Sequence, residues 1–175
     1  MNRPDGSSVH GSAVLVGDRA ILIRGPSGSG KSRLVFDLIL AGHAGQIPEA
    51  ALVGDDRLIL RVEDGRLLVR SAPELEGLLE IRGLGIRRLD FAAEAIVGWV
   101  VDLDAGDAAR LPEPKSLEIT IEGVVLSRIP VGIGFFPLPM VVAALTTIEG
   151  SVGLRRLDSC SKGIGNHISP TIATE

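Results

Sequence analysis

The 175-residue sequence holds a single cysteine, Cys160. An intrachain disulfide is therefore impossible. With no reactive motif around it, Cys160 reads as an incidental thiol rather than a nucleophile. No run of lysine and arginine stands out, and the formal net charge is −4. That balance speaks against nucleic acid as the main partner. No apolar stretch reaches the ~18 residues a membrane-spanning helix needs, so no membrane partner is expected. Residues 1–6 lack the apolar core of a signal peptide, and the expected compartment is the cytoplasm.

What is present suits a globular chain, since 45% of the residues are hydrophobic. This length suits one domain over residues 1–175. Such a domain buries roughly 70% of the surface its unfolded chain exposes. Residues 1–8 and about 150–175 carry little pattern and read as loose ends.

One motif dominates. Gly25-Pro26-Ser27-Gly28-Ser29-Gly30-Lys31-Ser32 spells a complete phosphate-binding P-loop, G-x-x-x-x-G-K-S. The apolar stretch Ala20–Ile23 precedes it and a helical pattern follows, which is the context the motif requires. Gly25, Gly28 and Gly30 let the backbone turn tightly and leave its amides unobstructed. Those N–H groups form an anion nest at the positive end of the following helix. Lys31 adds a cation for the β- and γ-phosphates, and Ser32 offers a hydroxyl to Mg²⁺. The ligand expected is therefore a nucleoside triphosphate such as ATP, or another polyphosphate, with a divalent metal such as Mg²⁺.

The surrounding pattern is rich in strands. Residues 12–24 read as a hairpin turning at Gly17-Asp18-Arg19. A helix is expected from Ser32 to Ala41, because Leu34, Val35, Leu38 and Ile39 share one face. Gly42 is placed to end it. Ala51–Val53 is a short strand, and residues 57–70 form a hairpin around Asp64-Gly65. Pro73–Gly77 suggests a helical turn. Residues 79–86 mix charges and glycines and read as neither a clean helix nor a clean strand. Ala95–Leu103 is a continuous apolar run, expected as a buried strand. Residues 117–129 form a further hairpin at Glu122-Gly123. Pro137 and Pro139 precede a helix expected over Met140–Thr147. Strand and helix do not alternate as in a doubly wound domain. The fold class expected is α/β, with the P-loop on a mixed or antiparallel strand-rich sheet.

A P-loop enzyme needs an acid near the metal and a group that orients the nucleophile. Asp55-Asp56 follows a short apolar strand. Glu80 lies in the glycine-rich segment. Asp102 and Asp104 end the strongest apolar strand, where a Walker B acid usually sits. In an extended segment neighbouring side chains point to opposite sides. One of Asp55 and Asp56 would then face an acceptor hydroxyl and the other the metal or a structural partner.

The chain resembles the catalytic domain of HPr kinase/phosphorylase, the bacterial enzyme that phosphorylates a serine of the phosphocarrier protein HPr. Four blocks carry the resemblance in order: Val9–Ser12; Leu22–Ser32; Gly42-His43 with Leu52–Asp56; and Leu79–Ile86. Arg110-Leu111 is a weaker fifth. The resemblance spans roughly residues 9 to 145. It implies a fold related to phosphoenolpyruvate carboxykinase. It also implies that Lys31 and the loop amides hold phosphates, that Ser32 and Glu80 ligate Mg²⁺, and that Asp55 is the favoured general base. Asp56 would assist with metal or position. His10 matches a histidine near the family's active site, and Arg110 an arginine that stabilises the transferring phosphoryl group. An HPr-like protein is the implied acceptor, and a hexamer the implied assembly.

Some features depart from the family pattern. The resemblance implies a short, catalytic-domain-only form, with a longer loop around Ala44–Glu49. The family's Pro-Val-x-Pro-Gly-Arg loop, linked to the reverse reaction, corresponds here to Pro130–Phe135, which has no arginine. Phosphate attack on phosphoserine joins two anions and needs cationic help, so weak or absent phosphorylase activity is expected. Two other readings stand beside the protein serine kinase. One is a small-molecule P-loop kinase using Asp102 or Asp104. The other is a nucleotide-sensing regulator, which the presence of Asp55-Asp56 opposes. Ile133–Leu138, loop-like and bearing two phenylalanines, reads either as a partner surface or as core.

Overall fold

The computed structural model describes residues 6–148. The readings for residues 1–5, for Cys160 and for the tail lie outside the described residues. Eleven strands and two helices follow in order. They are β1 (Ser7–His10), β2 (Ser12–Val16), β3 (Arg19–Arg24), α1 (Lys31–His43), β4 (Ala50–Gly54), β5 (Arg57–Glu63) and β6 (Arg66–Ser71). Then come β7 (Leu78–Ile81), β8 (Gly85–Arg88), β9 (Ala95–Leu103), β10 (Glu118–Ile121), β11 (Val124–Val131) and α2 (Pro137–Thr146).

Nine of the strands make one mixed sheet, in the order β1-β5-β6-β9-β3-β2-β4, with β11 on β9 and β10 on β11. β9 is its centre. Along one side it runs parallel to β3, from Val97 to Asp102. Its other side is shared, because Ala95 and Ile96 pair with β6 and Trp99–Leu103 pair with β11. Two neighbours dividing one side of a strand make the sheet curl rather than lie flat. β7 and β8 form a separate hairpin.

Alternation along the strands divides the core in two. Val14, Val16, Ile21, Ile23 and Val101 face α1, burying Leu34, Val35, Leu38 and Ile39 against the sheet. Ala13, Ala20, Leu22 and Val100 face the other way and pack with Leu58, Leu60, Leu67, Val69 and Leu126.

Several expectations need correction. The chain is already paired in β1, where a loose start was expected; Ser7 lies opposite Leu60 and His10 opposite Arg57. α1 does not stop at Gly42. That residue lies inside the helix, at a point where a Cβ would come within 2.8 Å of the Ala50 backbone nitrogen. Its lack of a side chain is used for close packing on β4, and the helix ends at His43. Gly45 takes φ 69°, with Gln46 N–H donating to the Ala41 carbonyl and Gly45 N–H to that of Gly42, a Schellman ending. The segment 79–86 is the β7–β8 hairpin, its turn made by glycines at positive φ. Pro137 and Pro139 do not precede α2 but occupy its first turn, where missing N–H groups cost nothing.

The parallel run of β3, β9 and β11 decides where chemistry can sit. Their C-terminal ends lie side by side, with Arg24 opposite Asp102 and Pro130 opposite Asp102. The loops that follow them therefore leave one end of the sheet together. In α/β folds that is the end where ligands are held.

Candidate functional site

The glycine-rich loop between β3 and α1 has the backbone its sequence demands. Gly25, Gly28 and Gly30 have φ of 149°, 81° and 96°. At Gly25 a Cβ would meet Ser29 Oγ at 2.8 Å and Leu103 at 2.9 Å, so the loop starts pressed against the end of β9. Gly30 stands at the N-cap of α1, which has no side-chain cap and no acidic residue in its first turn. Its first amides are thus left to an outside acceptor, at the positive end of the helix. Ser29 Oγ is buried with no hydrogen-bond partner. These features fit a polyphosphate. Lys31, 7% exposed, donates from Nζ to the carbonyls of Gly25 at 3.0 Å and Pro26 at 2.9 Å.

Asp55 is the centre of a second group. It is 7% exposed and sits at the end of β4. Ser12 Oγ donates to Asp55 Oδ1 at 2.5 Å. Ser32 Oγ, one residue after Lys31, lies 3.0 and 2.9 Å from the two carboxylate oxygens. The Glu80 backbone N–H faces Oδ2 at 3.4 Å, a long contact. Asp55 therefore joins β2, α1 and β7 around one carboxylate. The hydroxyl–carboxylate pair of Ser32 and Asp55, beside the exposed Glu80, offers the hard oxygen donors that suit Mg²⁺. Among the described residues no three His, Cys, Asp or Glu side chains converge as a cage. A metal held by few side chains plus substrate phosphates needs no such cage.

The Asp55-Asp56 pair is not extended. It forms the turn from β4 to β5, with Asp56 at φ 68° and Arg57 N–H donating to the Asp55 carbonyl at 2.9 Å. That i to i+2 bond at positive φ is a rare, strained γ-turn. The turn, not an extended strand, sends the two carboxylates apart. Asp56 is exposed, its side chain 73% open, and its Oδ1 lies 3.1 Å from His10 Nδ1. The same nitrogen is 3.0 Å from the Asp56 carbonyl. His10 is the residue before Gly11, whose N–H donates to that carbonyl at 3.2 Å.

Asp102, the strand-end acid beside the loop, has other partners. Arg24 grips it with both forks, Nε to Oδ1 at 2.7 Å and Nη2 to Oδ2 at 2.8 Å. Arg128 Nε adds a bond to Oδ2 at 2.6 Å. Burial pushes the Asp102 carboxyl up, but the hydrogen bonds from Arg24 and Arg128 outweigh it and hold the group below the usual carboxylate range. Asp104 is exposed at φ 56°.

The structure thus gathers Lys31, Ser32, Asp55 and the Glu80 backbone; Asp56 follows Asp55 directly, and His10 lies against Asp56. Arg110 is exposed on the loop after β9, outside that hydrogen-bonded group. Ile133, Phe135 and Phe136 are exposed, at 81%, 71% and 77%, so the core reading of that loop is wrong. Sequence reading missed Ser12, which holds Asp55. It also gave no role to Arg82, whose guanidinium would lie 3.8 Å from a Cβ at Gly28. The glycine-flanked arginine of Leu79–Ile86 was the available signal.

A family model described as HPr serine kinase C-terminal domain matches residues 4–93. The chain belongs to this family. An HPr kinase/phosphorylase of Geobacillus kaustophilus is 42% identical over 120 residues, 64% of this chain and 36% of the relative. One of Exiguobacterium is 33% identical over 132 residues, 71% of this chain and 40% of the relative. The chain thus spans well under half the length of these curated relatives. The solved Hpr(Ser) kinase/phosphatase of Coxiella burnetii shares the fold, with a TM-score of 0.63 at 23% identity over 79% of this chain and 93% of that one. The mixed, strand-rich α/β sheet is therefore a family property. Among the described residues no helix is long and apolar enough to cross a membrane.

Proposed function

We propose that this chain is an ATP-dependent protein serine kinase acting on HPr or an HPr-like phosphocarrier protein, with weak or absent phosphorylase activity. The observation that carries this reading is the meeting of Lys31, Ser32 and Asp55 at the uncapped start of α1. The loop amides and Lys31 bind and orient the triphosphate. Ser32 and Glu80 would hold Mg²⁺, which would neutralise phosphate charge. Arg110 meets charge on the phosphoryl group as it moves. The acceptor serine oxygen bonds to the γ-phosphorus while the bond to the β-phosphate oxygen breaks and ADP leaves. Asp55 takes the hydroxyl proton.

One observation favours a second division of labour. Ser32 Oγ lies within hydrogen-bond reach of both Asp55 oxygens, and Asp55 is buried, whereas Asp56 is exposed to a protein acceptor. In that reading Asp55 serves the metal side and Asp56, beside His10, receives the proton.

The test is transfer of labelled γ-phosphate from Mg-ATP to HPr and to HPr with its target serine changed to alanine. Label on intact HPr alone supports the kinase reading. No label on either, despite tight ATP binding, overturns it in favour of another acceptor or a sensor. Comparing Asp55→Asn with Asp56→Asn separates the two divisions. Phosphate release from seryl-phosphorylated HPr at a rate near the forward one would rule out the weak-phosphorylase part.

A further inference from the structure

Among the described residues, the most connected charged group lies outside the Asp55 cluster. Arg128, on β11, has a side chain only 13% exposed. Besides its bond to Asp102, its Nη1 and Nη2 donate to Asp107 Oδ2 and Oδ1 at 2.6 and 2.9 Å. Nη1 also donates to the Ser116 carbonyl at 2.9 Å. Asp107 and Ser116 flank the irregular segment that carries Arg110. One guanidinium therefore closes that loop at both ends. Its anchor, Asp102, is gripped from the other side by Arg24, the residue directly before Gly25. The chain of contacts runs from Ser116 and Asp107 through Arg128 and Asp102 to Arg24, and so from the Arg110 loop to the root of the glycine-rich loop. Ala105 N–H donating to the Val131 carbonyl at 2.9 Å fixes the loop's first residues to β11 as well.

We infer that Arg128, with Asp102 and Asp107, is a positioning device that sets Arg110 relative to the phosphate-binding loop. This deepens the kinase reading and rests on it. The chemistry calls for such a device. An arginine that stabilises a transferring phosphoryl group must be held in place beforehand, yet Arg110 is exposed on a loop containing Pro112 and Pro114. Bidentate guanidinium–carboxylate pairs fix geometry as well as charge. Lysine keeps the charge but cannot make the fork.

Three variants test it: Asp107→Asn, Arg128→Lys and Arg110→Ala. Asp107 is half exposed, so its variant leaves the core intact, and circular dichroism checks that. The first readout is tryptic cleavage at Arg110–Leu111, followed by mass spectrometry. Cleavage follows the population of the opened loop. Asp107→Asn is expected to speed it about three- to five-fold, in line with a half-exposed ion pair, and Arg128→Lys about ten-fold. The second readout is a double-mutant cycle with Arg110→Ala, in kcat and in affinity for Mg²⁺ with a non-hydrolysable ATP analogue. The kcat loss from Asp107→Asn should vanish when Arg110 is already alanine.

Unchanged cleavage in both clasp variants overturns the inference. So does faster cleavage with a kcat loss that persists in the Arg110→Ala background, because the loop would then be held for another reason. If the wild-type chain transfers no phosphate, the kinase reading fails instead. The cycle is then read in analogue affinity, where additive losses overturn the inference and non-additive ones support it.

Discussion

Two carboxylates end strands beside the same loop, and they have opposite company. Asp55 is met by hydroxyls, those of Ser12 and Ser32. Asp102 is met by the guanidinium groups of Arg24 and Arg128. A hydroxyl donates one proton and leaves the carboxylate its charge, free to act on a cation or a proton. Two guanidinium groups cancel that charge and hold the oxygens in a fixed fork. Position on the sheet made Asp102 the natural metal-side acid of a P-loop enzyme. The partners argue for the other assignment, with Asp55 proposed for the chemical role and Asp102 for a structural one.

The largest expected effect falls on the hydroxyl-bound acid. Asp55→Asn should lower kcat for phosphoryl transfer by about 10²–10³-fold, the range for a positioned acid–base group. Asparagine keeps one acceptor for Ser12 and Ser32, so the fold should persist. Asp102→Asn should leave kcat within about ten-fold of wild type. Parallel kinetics on the two variants check this, and a larger loss from Asp102→Asn would erase the contrast.

Stability should rank them the other way. Asp102→Asn leaves two guanidinium groups sharing a neutral partner in a site only 14% exposed. A loss of about 2–3 kcal/mol is expected, the range for hydrogen bonds to charged groups, read from urea midpoints at unchanged m-value. Ser12→Ala sharpens the other side. It removes the 2.5 Å donor from Asp55 and should cost about 1 kcal/mol. Its kcat should also fall, because Asp55 loses an orienting partner. A stability loss with unchanged kcat would make Ser12 a packing residue only.

Much of this arrangement was legible in the chain. The apolar runs of β2, β3 and β9 and the Asp64-Gly65 and Glu122-Gly123 turns are local signals, and local signals were enough. So was the glycine-rich loop, whose φ values follow from its glycines. What failed was long range. Gly42 looks like a helix stop because glycine usually is one; only the approach of β4 shows that it fills a packing role. Residues 79–86 look patternless because β8 is exposed on both faces and only Leu79 and Ile81 of this stretch pack on the core, so little alternation is imposed. β1 is four residues long and is fixed by β5, far along the chain. The partners of Asp102 come from residues 78 positions before it and 26 after it, and no spacing rule connects them.

The smallest effect is the one that pH reveals. Asp102 has a folded-state pKa below its ordinary value, because the bonds from Arg24 and Arg128 outweigh burial. A depressed carboxylate contributes stability that is present above its unfolded pKa, near ~3.9. That contribution is lost as the pH falls through the lower, folded value. Asp107, lowered by its bonds from Arg128, and Glu94, lowered by those from Arg61, act with the same sign. Thermal melts of the wild-type chain should therefore be flat from neutral pH down to about 4 and fall below it. In Asp102→Asn the fall should be shallower, since one depressed carboxylate fewer remains to be protonated. An acid limb as steep in the variant as in the wild type would mean that Asp102 carries no net electrostatic stabilisation. The contrast between the hydroxyl-bound and the guanidinium-bound carboxylate would then rest on geometry alone.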